Sequence, residues 1–494
     1  MACTTILVGK NATYDGSTMI ARNDDSQSGK FTPKKFVVVA PFEQPRHYIS
    51  VISHVQIDLP DNPLRYTAVP NAVAGEGVWA ASGVNEMNVA MTATETITSN
   101  PRVLGADPLV EYRAPEGDKP ETIGGIGEED LVSITLPYIH TAREGVERLG
   151  SLLEKYGTYE MNGIAFSDVN EIWWLETIGG HHWIAKRVPD NVYVVMPNQL
   201  GIDSFDLGDA MGEKQEHMCS ADLSDFIRRN HLDVSQGMSF NPRDVFGSRD
   251  DADHVYNTPR AWFMERWLNP KTIRWDGPNA EYTPESDNIP WSMIPERKIT
   301  PEDVKYVLSA HFQGTEYDPY GSYGDPRKRG MYRSIGVNRN DFMALLQIRP
   351  YVAEESRVIE WLAFGSNAFN AAVPFYANVT TTPEYLANTT GEVTTDNFYW
   401  ANRLVAAMAD ADFGHCLPHI ERYQEAVMAK GHELIHRFDG NLFMENDAEG
   451  KAHIRETANQ AIADELKKLT QELLGNVLYT RSCGMRNSYS RSDN

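Results

Sequence analysis

Residues 1–26 read MACTTILVGKNATYDGSTMIARNDDS. Within them, residues 4–9 (TTILVG) and 17–22 (STMIAR) are apolar runs joined by the turn-rich segment KNATYDG. Their composition predicts two strands of one hairpin. A thiol, Cys3, stands at the start of the first strand, and Arg22 and Asp25 close the second. An antiparallel hairpin therefore brings the thiol and the charged cluster to the same end.

A cysteine at a chain terminus carries a thiol with a pKa of about 8.5 and an α-amine of about 7.7–8.0. If Met1 and Ala2 are removed, the amine of Cys3 can take the thiol proton, directly or through a water. It can later give that proton to a leaving amine, so one residue serves as nucleophile and base. Removal of Met1 is expected before a residue as small as Ala2. Removal of Ala2 is a second step, for which self-cleavage is one route. Arg22 would lower the thiol pKa, and the Asp25 carboxylate would hold the free amine. Plainer readings exist for the same residues: a small buried hydrophobe at a strand start, and a surface turn with an ion pair.

Two further stretches bear on chemistry. YVVMPNQLG (193–201) places Asn198 just after an apolar strand. An amide there can donate to a developing oxyanion, or simply occupy a turn. YNTPRAWFMERWL (256–268) predicts a helix with Thr258 as N-cap and Pro259 as its first residue. Arg260 then lies in the first turn, where a positive charge opposes the helix dipole, which points to a role outside helix stability.

The 494 residues suit one elaborated domain or two. Acidic residues outnumber basic ones 69 to 45, a net charge of -24, which argues against nucleic acid or an anionic membrane as partner. No apolar run approaches the ~20 residues needed to span a bilayer, and no signal peptide is evident. Cys3, Cys219, Cys416 and Cys483 are scattered, which predicts a reducing, cytoplasmic setting and no disulfide framework.

Strand signals come in antiparallel runs and helix signals in blocks. KFVVVA (35–40) and YISVIS (48–53) read as a strand pair, and GVWAASGVNEMNVAMTATET (77–96) as two strands around a turn. Residues 128–157 are helical, divided near Pro137, with the second helix from about Thr141. Residues 163–199 read as a meander, and SIGV (334–337), FMALLQI (342–348) and VIEWLAFG (358–365) as strands. Residues from about 411 to 475 are helical, and the tail SCGMRNSYSRSDN (482–494) is expected to be disordered. Together these predict an α+β protein. HCLPH offers His415, Cys416 and His419, but no second cluster completes a metal site. His181 and His182 read as a turn entering a strand, facing opposite sides.

The ordered set CTT, ARNDD, GVNE, VMPNQ and TPRAWFMER resembles the N-terminal-nucleophile hydrolases related to penicillin V acylase and bile salt hydrolase. More closely it resembles peptidase family C69, the cysteine dipeptidases typified in lactic acid bacteria. The likeness continues through GVNEMNVAMTATETI and DVNEIWWLETIGGHHWIAKRVPD. It implies an αββα sandwich of two stacked antiparallel sheets covered by helices. That catalytic domain would span 1–410 with insertions, and 411–494 would be a helical extension packed on it. The resemblance makes Cys3 the nucleophile, supported by Arg22 and Asp25, with Asn198 lining the oxyanion hole and Arg260 a further polar site residue. No cofactor and no metal are implied. One departure stands out: two residues precede Cys3, where the acylases remove only a methionine.

A dipeptidase must also read the free ammonium of its substrate. Glu95, in TATETI, is expected to bind it, and the backbone N–H at Thr94 or Glu95 to assist the oxyanion hole. A solvated loop carboxylate is the competing reading. The expected function is a cytoplasmic, metal-independent cysteine dipeptidase acting on dipeptides with a free N-terminus. A homo-oligomer is expected, with the C-terminal helices available to support assembly. The rivals are an amidase of the same superfamily acting on a non-peptide amide, and a non-catalytic binding protein on the same fold.

Overall fold

A computed structural model describes residues 3–237 and 239–487, apart from the side chain of Thr94. In chain order its strands are β1 (Thr4–Val8), β2 (Thr18–Asp25), β3 (Val37–Val39), β4 (His47–Ile49), β5 (Gln56–Asp58), β6 (Tyr66–Ala68), β7 (Ser82–Val84), β8 (Ala90–Thr96) and β9 (Asn162–Ser167). There follow β10 (Ile172–Thr177), β11 (Trp183–Val188), β12 (Tyr193–Met196), β13 (His217–Cys219), β14 (Ser292–Met293), β15 (Asn340–Ile348), β16 (Val358–Phe364) and β17 (Val373–Tyr376).

The opening hairpin sits at the centre of a sheet of order β14-β12-β1-β2-β15-β16-β17, antiparallel at every pairing. A second antiparallel sheet has the order β13-β11-β10-β9-β8-β7. The two face each other. From β2, Arg22 reaches the carbonyls of Ala81 and Ala93, and Thr18 Oγ1 donates to Asp168 O at 2.7 Å.

Side-chain alternation decides which residues meet in this interlayer space. On β2 the inward set is Thr18, Ile20, Arg22 and Asp24, and the outward set includes Asn23 and Asp25. On β10, Trp174 joins the core between the sheets, whereas Trp173 and Leu175 join a second core under helix Ala142–Tyr156. Thr141 caps that helix through a bond from Glu144 N, and Val146, Leu149 and Leu153 form its buried stripe. Gly145 and Gly150 let it approach closely. A Cβ at either would stand 2.4 Å from the Phe166 ring or 2.2 Å from the Trp183 ring.

Helix Pro301–Leu308 covers the outer face of the first sheet, and Leu308 O accepts from Asn23 Nδ2 at 2.8 Å. Helix Phe398–Asp410 packs on β16. The long helices Phe413–Met444 and Ala448–Cys483 pack on β17. Asn459 bonds both the N–H and the carbonyl of Tyr376 in that strand. Among the described residues, no helix is long and apolar enough to cross a membrane.

Several local expectations are revised. The strands near 35–40 and 48–53 do not pair with each other: β3 pairs with β6, and β4 with β5. The meander holds for β9 to β11, but β12 leaves the sheet and pairs with β1, with Asn11 N bonded to Asp190 O at the crossing. Residues 334–337 form no strand. Their segment is an irregular connection that carries Arg333 to Asp25. The last helix runs through Cys483, and residues 488–494 of the tail lie outside the described residues.

Candidate active site

Cys3 is the last residue before β1, and the register Thr4↔Asn23 and Thr5↔Arg22 sets it beside Asp24. Cross-strand neighbours share a face, so Cys3, Thr5, Arg22 and Asp24 all point between the sheets. Arg22 Nη2 donates to Cys3 Sγ at 2.7 Å, to Asp24 Oδ1 at 3.0 Å and to Glu128 Oε1 at 3.2 Å. Its Nη1 is held by the carbonyls of Ala81 and Ala93. Ala81 adopts φ 56°, a left-handed conformation uncommon for a residue with a Cβ. Lys34, also buried, pairs with Asp24 Oδ2 at 2.9 Å and donates to Trp79 O at 3.2 Å. Two cations and two carboxylates thus meet in a buried space around the thiol.

Burial and these charges together shift the pKa values. Burial raises the Cys3 pKa well above the usual thiol range; Arg22 lowers it in part, and Glu128, Glu95 and Asp24 raise it further. Burial opposes the Arg22 charge, but Cys3, Asp24 and Glu128 outweigh it and raise the guanidinium pKa. Burial also pushes Asp24 up, yet Lys34 and Arg22 prevail and hold it below the ordinary carboxylate range. Burial thus favours the protonated thiol, against the pull of Arg22.

Cys3 Sγ, Asp24 and Glu128 place ligand-type atoms within 4.8 Å of one another. The cation they share is the Arg22 guanidinium, so this set is built around an arginine. His415 pairs with Asp412 at 2.7 Å, His419 meets Thr480 at 3.4 Å, and Cys416 is buried. These three form no ligand cluster among the described residues. His181 and His182 do not diverge. Both precede β11, and both ring Nδ1 atoms meet the Asp107 carboxylate, at 3.2 and 2.7 Å.

Asp25 faces the other side of β2. It is gripped by Arg333 and Asn340 and makes no hydrogen bond to Cys3. The residue touching the Cys3–Arg22 pair is Asp24, two positions from Arg22 and on its face. Arg260 Nη1 bonds Cys3 O and, at 2.7 Å, Thr4 Oγ1; its Nη2 bonds Asn198 Oδ1 at 2.7 Å and Asn257 Oδ1 at 2.8 Å. Its helix is Thr258–Leu268, so Asn257 precedes it and Thr258 is the first helical residue. Neither caps it. Thr258 Oγ1 donates to Pro284 O, and Asn257 Oδ1 receives Arg260 and Asn198 N. Asn198 Nδ2 donates one hydrogen to Thr96 O at 2.8 Å, and its second has no acceptor among the described residues.

Glu95 lies at a bulge in β8, after the register shift at Ala93. It is fully buried, with Oε2 accepting from Thr5 Oγ1 at 2.8 Å. Its Oε1 makes no hydrogen bond among the described residues. Burial pushes this carboxyl up to about 8, against the pull of Arg260, the Thr5 bond and Arg22. Thr94 is in the same strand, but its side chain lies outside the described residues.

Sequence reasoning missed Lys34, Glu128, Arg333 and Asn340. Asp24 could have been found by strand alternation, since it shares a face with Arg22. The others come from separate loops and strands, and no local pattern marks them.

Comparison with known proteins gives the family. The model of peptidase family C69 matches residues 2–426. The chain is 58% identical to a dipeptidase of Bifidobacterium longum (strain NCC 2705) over 532 aligned positions, covering 100% of both chains. It is 53% identical to a probable dipeptidase A of Streptococcus pyogenes serotype M3, again covering 100% of both. It is 43% identical to dipeptidase A of Lactobacillus helveticus, covering 96% of each. With the matched segment spanning every residue of the thiol cluster, the chain belongs to peptidase family C69.

Proposed function

We propose that the protein is a dipeptidase that hydrolyses dipeptides with a free N-terminus, using Cys3 as an N-terminal nucleophile on an αββα hydrolase fold. The observation that carries this reading is the Cys3 thiol, placed at the mouth of β1 inside a buried cluster with Arg22, Asp24, Lys34 and Glu128. Removal of residues 1–2 would free the α-amine of Cys3, which can accept the thiol proton. The strand register sets this amine at the level of Asp24 and Asp25. Asp25, fixed by Arg333 and Asn340, is available as its counter-charge.

Attack of the sulfur on the scissile carbonyl creates an oxyanion. The second amide hydrogen of Asn198 supports it, oriented by Arg260 on Asn198 Oδ1. The α-ammonium then protonates the leaving amine, and a water, activated by the same amine, hydrolyses the acyl-enzyme. Glu95 reads the substrate ammonium through Oε1. It lies against Thr5, two residues along β1 from the nucleophile, a rise of about 6.8 Å.

The test uses purified protein in a Cys483→Ser background, since Cys483 is the exposed free thiol among the described residues. Free dipeptides should be hydrolysed, iodoacetamide should abolish turnover, and EDTA should not. Loss to EDTA without loss to alkylation overturns the mechanism. Turnover of non-peptide amides without dipeptides overturns the substrate assignment.

A second measurement addresses Glu95. Its carboxyl, raised to about 8, is neutral at pH 6 and ionises as pH rises. Ammonium binding needs the ionised form, so KM for dipeptides should fall roughly tenfold per pH unit below about 8. It should rise again once the substrate amine, at about 7.7–8.0, loses its own proton. Glu95→Gln should raise KM about 10- to 100-fold near pH 7.5 and flatten the acid limb. An unchanged KM profile in that variant rejects the role.

A further inference from the structure

Glu128 has no part in the steps above, yet one of its carboxylate oxygens lies within 4.8 Å of Cys3 Sγ. It stands in the run Gly127-Glu128-Glu129-Asp130, just before helix Leu131–Thr135. Its two acidic neighbours are occupied elsewhere. Glu129 accepts from Ser50 Oγ, Val51 N and Ile52 N, and Asp130 from Gly127 N and Tyr48 Oη. Of the three, Glu128 is the one beside the thiol. Its backbone N–H is held by Glu160 Oε1 at 2.6 Å, and its side chain is buried.

Glu128 and the sulfur meet at Arg22 Nη2. That nitrogen carries two hydrogens and has three acceptors among the described residues: Cys3 Sγ at 2.7 Å, Asp24 Oδ1 at 3.0 Å and Glu128 Oε1 at 3.2 Å. The three compete for its two N–H groups. Asp24 is fixed from its other side by Lys34 on Oδ2 at 2.9 Å. Glu128 also competes through charge, because a carboxylate beside the sulfur opposes a thiolate. Burial raises the thiol pKa and Arg22 lowers it; Glu128 comes first among the carboxylates that raise it, ahead of Glu95 and Asp24.

A dipeptide carries a positive charge to this place through its covalent geometry. Its α-nitrogen is two bonds from the attacked carbon, ~2.5 Å away. That carbon must approach Sγ to ~3–3.5 Å to react. The ammonium therefore lies within about 6 Å of Sγ. Asp24 already meets a cation at each oxygen, whereas Glu128 meets Arg22 at Oε1. We propose that Glu128 is a specificity residue: the substrate ammonium draws its carboxylate off Arg22 Nη2 and leaves that nitrogen to the sulfur and Asp24. No covalent bond changes in the exchange, and the thiol proton passes to the Cys3 α-amine as before. A dipeptide with a blocked amine leaves Glu128 on Arg22, so discrimination falls on kcat as well as on KM. The proposal rests on the dipeptidase reading and adds Glu128 to Glu95 as a group that meets the ammonium.

Alkylation of Cys3 by iodoacetamide at pH 7, in the Cys483→Ser background and read by peptide mass, tests the exchange without turnover. The probe is isoamylamine, an alkylammonium at this pH with no carbonyl to be attacked. At saturation it should speed alkylation of the parent about three- to tenfold, and isoamyl alcohol should not. Glu128→Gln keeps an oxygen for Arg22 but no charge. It should start at the parent's amine-saturated rate and gain nothing from the amine. Glu95→Gln should need more amine to saturate, yet reach the same gain as the parent. Turnover adds a second readout. The best free dipeptide should have a higher kcat than its N-acetyl form in the parent, and Glu128→Gln should narrow that ratio about tenfold. A parent that hydrolyses no dipeptide fails the dipeptidase reading, while alkylation still reports the exchange. Amine that slows alkylation of the parent or leaves it unchanged overturns the proposal, and this arm decides even if Glu128→Gln does not fold. Amine that speeds Glu128→Gln as much as the parent overturns it too.

Discussion

Cys3→Ser is expected to give a folded protein that turns over dipeptides about 10³-fold more slowly, or less, than the parent. A serine hydroxyl is a far poorer nucleophile than sulfur and fills less of a site shaped for Sγ beside Arg22. Circular dichroism and Tm should change little, since the hydroxyl keeps a bond to Arg22 Nη2. Intact mass adds a second readout. If removal of Ala2 is self-catalysed, Cys3→Ala protein should retain Ala2 while the parent begins at Cys3. A parent that begins at Ala2 yet remains fully active would reject the amine as base.

Arg22→Met is expected to damage both stability and rate. It deletes the cation that Asp24, Glu128 and Cys3 share inside the molecule. Breaking a buried ion pair from one side costs about 3–5 kcal/mol. For a chain of 494 residues, a drop in Tm of roughly 3–5 °C follows. The sign with pH is fixed by Asp24, whose carboxyl is held below its unfolded value in the parent. Its stabilisation is present above the unfolded pKa of about 3.9 and is lost as pH falls through the native value. The Tm gap between parent and variant should therefore hold from pH 7 down to about 4 and narrow below it. At 25 °C, per folded molecule, turnover should fall on the order of 10³-fold, because the thiolate loses the cation bonded directly to it. Equal activity of folded Arg22→Met and parent would remove Arg22 from the chemistry and leave it a structural role.

What was legible in the sequence divides by range. The β1–β2 hairpin was legible because its two strands are close in the chain and their turn is marked. The helix from Ala142 was legible from its 3.6-residue stripe and its Thr141 cap. The long C-terminal helices were legible too, although helix Phe398–Asp410 before them passed unnoticed. Pairing partners were not legible. Residues 37–39 advertise a strand, but nothing local says that it pairs with 66–68. Likewise the run from Tyr193 onward looks like the fourth strand of a meander until the β1 edge takes it.

The candidate site divides in the same way. Cys3, Arg22, Asn198 and Arg260, which come from four separate motifs, form one bonded network. Asp25 was expected to hold the free amine of Cys3; strand alternation puts Asp24, not Asp25, on the face that the thiol and Arg22 share. Glu128 sits in a run of acidic residues before a helix, where negative charge is ordinary. Lys34 sits in a polar segment. Only tertiary packing makes these two buried counter-charges.

The central hairpin also has a history in time. β1 and β2 leave the ribosome first, whereas β15, which flanks β2, is made about 315 residues later. At ~5–20 residues per second, the hairpin waits roughly 15–60 s with that edge unpaired. Arg333 and Asn340, which clamp Asp25, arrive at the end of the same interval. Cys3 and Arg22 are thus synthesised early and Asn198, Arg260, Arg333 and Asn340 later, so a nascent chain carries the thiol through much of translation before its bonded network is complete.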